Sequence, residues 1–170
     1  MTGHNSIKMT DLLLLYKSMG FKDAITFIQS GNVVFSTKDE MDEPVIASKI
    51  EKAINKKFNY NVPVMIRTPN ELREIISANP FLDEMNFEPS KMAVIFLHEK
   101  PLEVQTRKVI NVDYPPDKFK ISGSEIYLYC PNGFGRTKLY TNFFEKKMGV
   151  TGTGRNWKTI SALLNIAEKL

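Results

Sequence analysis

A chain of 170 residues, 42% hydrophobic and 25% charged with a formal net charge of +4, is long enough for one globular domain or two small fused halves, and its composition is neither fibrous nor disordered. The single cysteine, Cys130, excludes an intrachain disulfide and a cysteine-based zinc site, and it fits a reducing, cytoplasmic setting. The longest aliphatic run, residues 12–15, is far too short to cross a bilayer, and the first residues lack the basic-then-apolar pattern of an export signal, so neither membrane insertion nor secretion is expected.

In chain order, Leu12, Leu15, Tyr16 and Met19 recur at helical spacing and predict a helix over 8–19, with Gly20 at the C-terminal cap position. Residues 24–29 and 33–37 read as a hairpin about Ser30-Gly31-Asn32. Asp42, Glu43 and Pro44 open a second helix, whose Ile46, Ile50 and Ile54 make an i, i+4 stripe. Residues 62–67 read as a strand, and Thr68-Pro69-Asn70-Glu71 as a capping box that starts a short helix ended by Asn79-Pro80.

The acidic, irregular stretch 83–90 reads as a linker. The continuous apolar run 92–97 predicts a central strand, and 101–110 a weak helix broken by Pro115-Pro116. A second hairpin is expected from 118–121 and 125–130, followed by a helix over 137–148. Gly152 and Gly154 then suggest a loop, and a last helix over 157–169 turns Ile160, Leu163, Leu164 and Ala167 to the core.

An offset of 92 residues sets Phe27, Ser30 and Gly31 over Phe119, Ser122 and Gly123, with Val34 over Ile126 and Phe35 over Tyr127. It also sets the first helix over the helix at 101–110. The expected fold is therefore α+β: a tandem duplication of ferredoxin-like β-α-β-β-α-β halves, at 1–82 and 91–170, joined by the linker 83–90 and closed by a C-terminal helix. The counterpart of strand 92–97 would fall at or before residues 1–5, where Gly3-His4-Asn5 is not a strand. The first strand of the N-terminal half is thus expected to be missing, through a late start or a truncation.

Five motifs occur in order along the chain: Gly3-His4-Asn5 leading to Ile7-Lys8-Met9; 28–33, Ile-Gln-Ser-Gly-Asn-Val; Asn79-Pro80-Phe81; 131–139, Pro-Asn-Gly-Phe-Gly-Arg-Thr-Lys-Leu; and 155–159, Arg-Asn-Trp-Lys-Thr. Together they resemble the bacterial family called domain of unknown function 1697. The resemblance implies a fold and supplies no reaction. Members of that family typically begin with a strand ending in a Leu-Leu-Arg-Gly-Ile-Asn-Val-Gly-Gly-like motif. This sequence lacks it, in agreement with the gap inferred from the repeat.

His4 and His98 have neither cysteine nor carboxylate at ligand spacing, so no metal is expected. Cys130 ends a strand and reads as a small core residue. No spacing specifies a catalytic triad, a carboxylate pair or a cofactor fingerprint, so no catalytic residue and no cofactor is assigned.

The charge is uneven, with twelve Lys/Arg against fourteen Asp/Glu before residue 107 and eleven against five from there on. Within 131–160, six basic residues face Glu145 alone. There Gly133 and Gly135 precede Arg136, Thr137 and Lys138 at a helix entrance, where free N–H groups favour anions. The structural alternative is a tight turn with Thr137 as cap. Arg155, Asn156 and Trp157 make a second entrance, Asn156 suited to cap it and Trp157 to serve as a stacking platform or, more commonly, a core anchor. Gln29 and Asn32 flank the first hairpin turn as further ligand candidates or ordinary turn residues. Phe119, Tyr127 and Tyr129, with Lys118 and Lys120, could stack bases from a sheet, although alternating aromatics on strands are usually core.

The leading expectation is a binding module for an anionic ligand, nucleic acid or nucleotide, through this basic region. The rivals are an enzyme acting on a small phosphorylated or carboxylated metabolite in a groove between the halves, and an interaction module without chemistry. Ligand, reaction and oligomeric state are not encoded in any motif of the sequence.

Overall fold

A computed structural model describes residues 6–38 and 41–170. The chain divides into two compact units, the first comprising Met1–Pro69 with Ala162–Leu170 and the second Asn70–Ser161. The division falls ahead of the stretch 83–90 that the sequence suggests as a linker. That stretch packs within the second unit: Phe87 stacks on Tyr129 with ring centroids 5.4 Å apart, and Lys118 pairs with Glu84 at 2.7 Å.

The first unit is built from α1 (Met9–Ser18), β1 (Ile25–Phe27), β2 (Asn32–Val34) and α2 (Glu43–Phe58). Gly20 follows α1 at φ +99°, the left-handed conformation that glycine adopts without penalty. In α2 the expected stripe is buried, with Ile50 fully so, and each such side chain contributes about 1.5–3 kcal/mol on burial. These side chains meet Leu12, Leu15, Tyr16 and Phe21 in one core.

The strands β1 and β2 form a two-stranded antiparallel sheet with Phe27 opposite Asn32. Val62, Val64 and Ile66 pack on the same core, but the expected strand 62–67 lies in no ladder among the described residues.

The second unit comprises α3 (Pro69–Ser77, with all but its first residue in this unit), β3 (Met92–Leu97), α4 (Glu103–Thr106), β4 (Lys118–Ser122), β5 (Glu125–Tyr129), α5 (Thr141–Met148), β6 (Gly152–Asn156) and the first turn of α6 (Trp157–Glu168). From β3 onward this is the expected β-α-β-β-α-β order. The sheet is antiparallel throughout, in the spatial order β4-β5-β3-β6. Gly152 and Gly154, expected in a loop, belong to the edge strand β6. A β-carbon on Gly152 would meet Ile95 Cγ2 at 2.9 Å, and one on Gly154 would meet the Thr141 hydroxyl at 3.0 Å. Here the glycines allow close approach of backbone to neighbour rather than a turn.

The two faces of this sheet differ. Ile95, Leu97, Ile126 and Leu128 point to one side and pack on Val109, Phe144 and Met148. Met92, Val94, Tyr127 and Tyr129 point to the other, where the Tyr127 hydroxyl donates to the carbonyl of Ile75 in α3 at 2.7 Å. Asn79 accepts the Phe81 N–H at 3.0 Å, which holds Phe81 against Tyr129 at 6.0 Å.

Helix, hairpin and helix occur in both units; among the described residues a four-stranded sheet forms in the second, where the edge strand β6 pairs with β3 alone. The strand expected ahead of the first helix falls at or before residues 1–5, outside the described residues.

Candidate functional site

Antiparallel pairing gathers two segments of the basic region, 131–138 and 155–158, at one end of the second sheet, while Lys146 and Lys147 in the last turn of α5 lie toward the other. The Cys130 N–H donates to the Lys91 carbonyl at 2.9 Å just before β3 begins, and the Gly133 N–H donates to the Cys130 carbonyl at 2.9 Å. On the other flank of β3, Asn156 pairs with Ala93, so the chain leaves β6 two residues from Lys91. The segments 131–138 and 155–158 therefore depart from strands on either side of β3, about 10 Å apart.

Gly133 has φ +87°, which glycine alone adopts freely, and a β-carbon there would lie 3.9 Å from Lys91 Nζ. Phe134–Arg136 form a single 3-10 turn. The expected helix over 137–148 starts four residues late, at Thr141, with Tyr140 at the cap position making no side-chain cap bond. Thr137 does not cap it: its hydroxyl accepts the Leu139 N–H at 3.0 Å and bonds the Cys130 thiol. The loop from Gly133 to Lys138 thus does not open directly onto a helix. Arg136 is exposed, and Lys138 sits over the Tyr114 ring with Nζ 5.3 Å from its centroid. Gly135 differs from Gly133, because its φ is unexceptional and a β-carbon there would meet nothing within 4 Å. Neither turn geometry nor packing demands glycine at 135.

Arg155 pairs with Val94 and so belongs to the sheet face of Tyr127, opposite the face that carries α5. Its guanidinium donates to Thr153 Oγ1 at 2.7 Å and to the Gly154 carbonyl at 2.8 Å, and desolvation draws its pKa below the usual value. Arg155 and Arg136 share an end of the sheet but lie on opposite flanks of β3. Asn156 caps α6 as the sequence suggests, its Oδ1 accepting the Thr159 N–H at 2.8 Å. Trp157 is buried at 8% exposure, in agreement with the core reading and closed to a stacking ligand.

Tyr127 and Tyr129 are likewise buried, and Phe119 packs edge-on against Phe144 at 5.1 Å, so the second hairpin offers no open aromatic platform. Gln29 and Asn32 lie in the first unit. Gln29 is exposed at the hairpin tip, while Asn32 is buried and donates to the Phe27 carbonyl at 3.2 Å, closing the turn.

Burial pushes the Cys130 thiol up to about 11, with a smaller upward contribution from Asp117. A thiol held protonated in this way is a core group rather than a nucleophile. Among the described residues no three His, Cys, Asp or Glu side chains gather as metal ligands, and no helix is long and apolar enough to cross a membrane. His4 lies outside the described residues.

Lys91 joins the basic end although nothing local marks it in sequence. It precedes an apolar strand, and only the pairing register brings it beside Gly133. Phe134 and Tyr140 are also newly visible here as exposed rings. Their signal was available as alternation with Arg136 and Lys138, every second residue.

A family profile described as Protein of unknown function (DUF1697) matches residues 1–127. The chain belongs to this family. The match ends within β5, so the loop carrying Arg136 and Lys138 lies beyond it. Among solved structures the chain is similar to a conserved bacterial protein, SP0830, from Streptococcus pneumoniae, with a TM-score of 0.72 and 16% identity over 98% of this chain and 92% of that one. At that identity the likeness is one of fold, and it supports the α+β class. No curated protein matches.

Proposed function

We propose that the second unit binds an anionic ligand of the nucleic-acid or nucleotide class at the end of its sheet whose segments carry Lys91, Arg136 and Lys158. The observation that carries this reading is the register Cys130–Lys91 and Asn156–Ala93, which brings two basic segments to the flanks of a third cation. Arg155 adds to the field from the opposite sheet face, and Lys138 from its seat on Tyr114. Arg136, Lys138, Arg155 and Lys158, four of the six basic residues within 131–160, lie on the two segments at this end, together with Lys91 and with the acids Glu88 and Asp117 nearby, and this surplus of cations favours phosphate over a neutral ligand. Gly135 supports the same reading, because a glycine that the fold does not require leaves room for a ligand to approach the backbone closely. The reading takes the protein to be cytoplasmic, on the ground of its one buried, unpaired cysteine.

The test is titration of labelled oligonucleotides and inorganic polyphosphate across a range of salt concentrations. Affinity should fall linearly on logarithmic axes, with a slope of about −0.7 per phosphate neutralised on a single strand. Replacing Lys91 and Arg136 together by alanine should weaken binding and flatten that slope. Gly135→Ala should leave melting unchanged or slightly raised while reducing affinity. Absence of binding at the lowest salt, or binding indifferent to the Lys91/Arg136 double variant, overturns the proposal.

A further inference from the structure

We infer that the ligand of this basic end is single-stranded nucleic acid, read through its bases by Phe134 and Tyr140; the inference rests on the anion-binding reading above. From Phe134 to Tyr140, every second residue is an aromatic ring or a cation: Phe134, Arg136, Lys138, Tyr140. All four are exposed. Of the residues between them, Gly135 is exposed as well, Thr137 bonds the Cys130 thiol and Leu139 is buried at 1% exposure. The burial of Leu139 and the tether at Thr137 anchor the segment from beneath.

Phe134 is 37% exposed and Tyr140 52%, whereas of the aromatics that the sequence suggests for stacking Trp157, Tyr127 and Tyr129 are buried and Phe119 is half-buried with its ring edge-on to Phe144. Cations that follow a phosphate backbone, interleaved with open ring faces, are what a single strand requires. Every base has a face to stack, and stacking tolerates any sequence. A duplex hides those faces between its own base pairs, so exposed rings gain nothing from it beyond what the cations give. Tyr114 is not part of the set, because Lys138 already occupies its face.

The experiment compares three probes at equal salt: a single-stranded pyrimidine oligonucleotide, a duplex of the same length and inorganic polyphosphate. The single strand should bind most tightly. Phe134→Ala and Tyr140→Ala should each weaken it by about fivefold or more while leaving polyphosphate binding unchanged, and Phe134→Tyr and Tyr140→Phe should restore it. Should either alanine variant melt early, Phe134→Leu and Tyr140→Leu keep the apolar bulk without the ring face, and they should show the same loss. If polyphosphate binds as tightly as the single strand, or the ring variants bind it unchanged, this inference is overturned and the anion-binding reading stands. If no probe binds, both fall.

Discussion

The hydroxyl of Tyr127 in the middle of β5 donates to the carbonyl of Ile75 in α3 at 2.7 Å, joining two residues 52 positions apart. Through this bond and the stacking of Phe81 and Phe87 on Tyr129, a sheet face that would otherwise be open is covered from within the same unit. That cover is why the aromatic hairpin does not serve as a binding platform. Tyr127→Phe should cost about 1–2 kcal/mol, because a buried carbonyl loses its donor while the ring and its packing remain. Urea denaturation checks this. A change well under the lower figure would mean that α3 is held by packing alone.

Stability should fall steeply in alkali. Burial raises the Cys130 thiol from 9.0 to about 11 and the Tyr127 phenol from 10.0 to about 12, the latter helped by Glu125, and burial raises Tyr16 in the same direction. All three are protonated in the fold at pH values where the unfolded chain has begun to ionise. The stability they contribute is full below pH 9 and is lost as pH rises through the folded values. Urea midpoints measured across that window should decline from about pH 9. Cys130→Ala should lower the whole curve through its small cavity but flatten the first part of the decline. An unchanged slope in the variant would assign the loss to the tyrosines.

Gly152→Ala should destabilise the second unit by about 1–3 kcal/mol, since its β-carbon would press on Ile95, Leu97 and the Phe96 carbonyl within 2.9–3.2 Å. Gly154→Ala should cost less, because only the Thr141 hydroxyl lies so near, and Thr141→Ala should relieve most of that cost in the double variant. Thermal melting of the singles and the double reads the coupling directly.

Asn156→Ala should remove about 1 kcal/mol by uncapping α6, and Asn156→Asp should retain the cap and favour the positive end of the helix. In oligonucleotide titrations Asn156→Ala should leave affinity unchanged. A loss of binding without a loss of stability would return Asn156 to the ligand contacts.

Some features were legible in the chain because they are local. The Ile46-Ile50-Ile54 stripe, Gly20 after α1, Asn156 before α6 and the apolar run of β3 each follow from a period or from a cap that depends only on neighbouring residues. The two hairpins were legible for the same reason. The late start of α5 was not, because Thr137 is drawn away by Cys130, the residue that follows β5. Nor was β6, whose glycines signal a loop until Ile95 and Thr141 are seen pressed against them.

The sequence by itself determined the class of fold, the order of most elements and the excess of positive charge after residue 107, since composition and short-range periodicity need no partner. Tertiary structure alone decided which strands pair, which aromatics are closed and which open, and that Lys91 stands beside Gly133. These depend on contacts between residues far apart in the chain, which the pairing register sets.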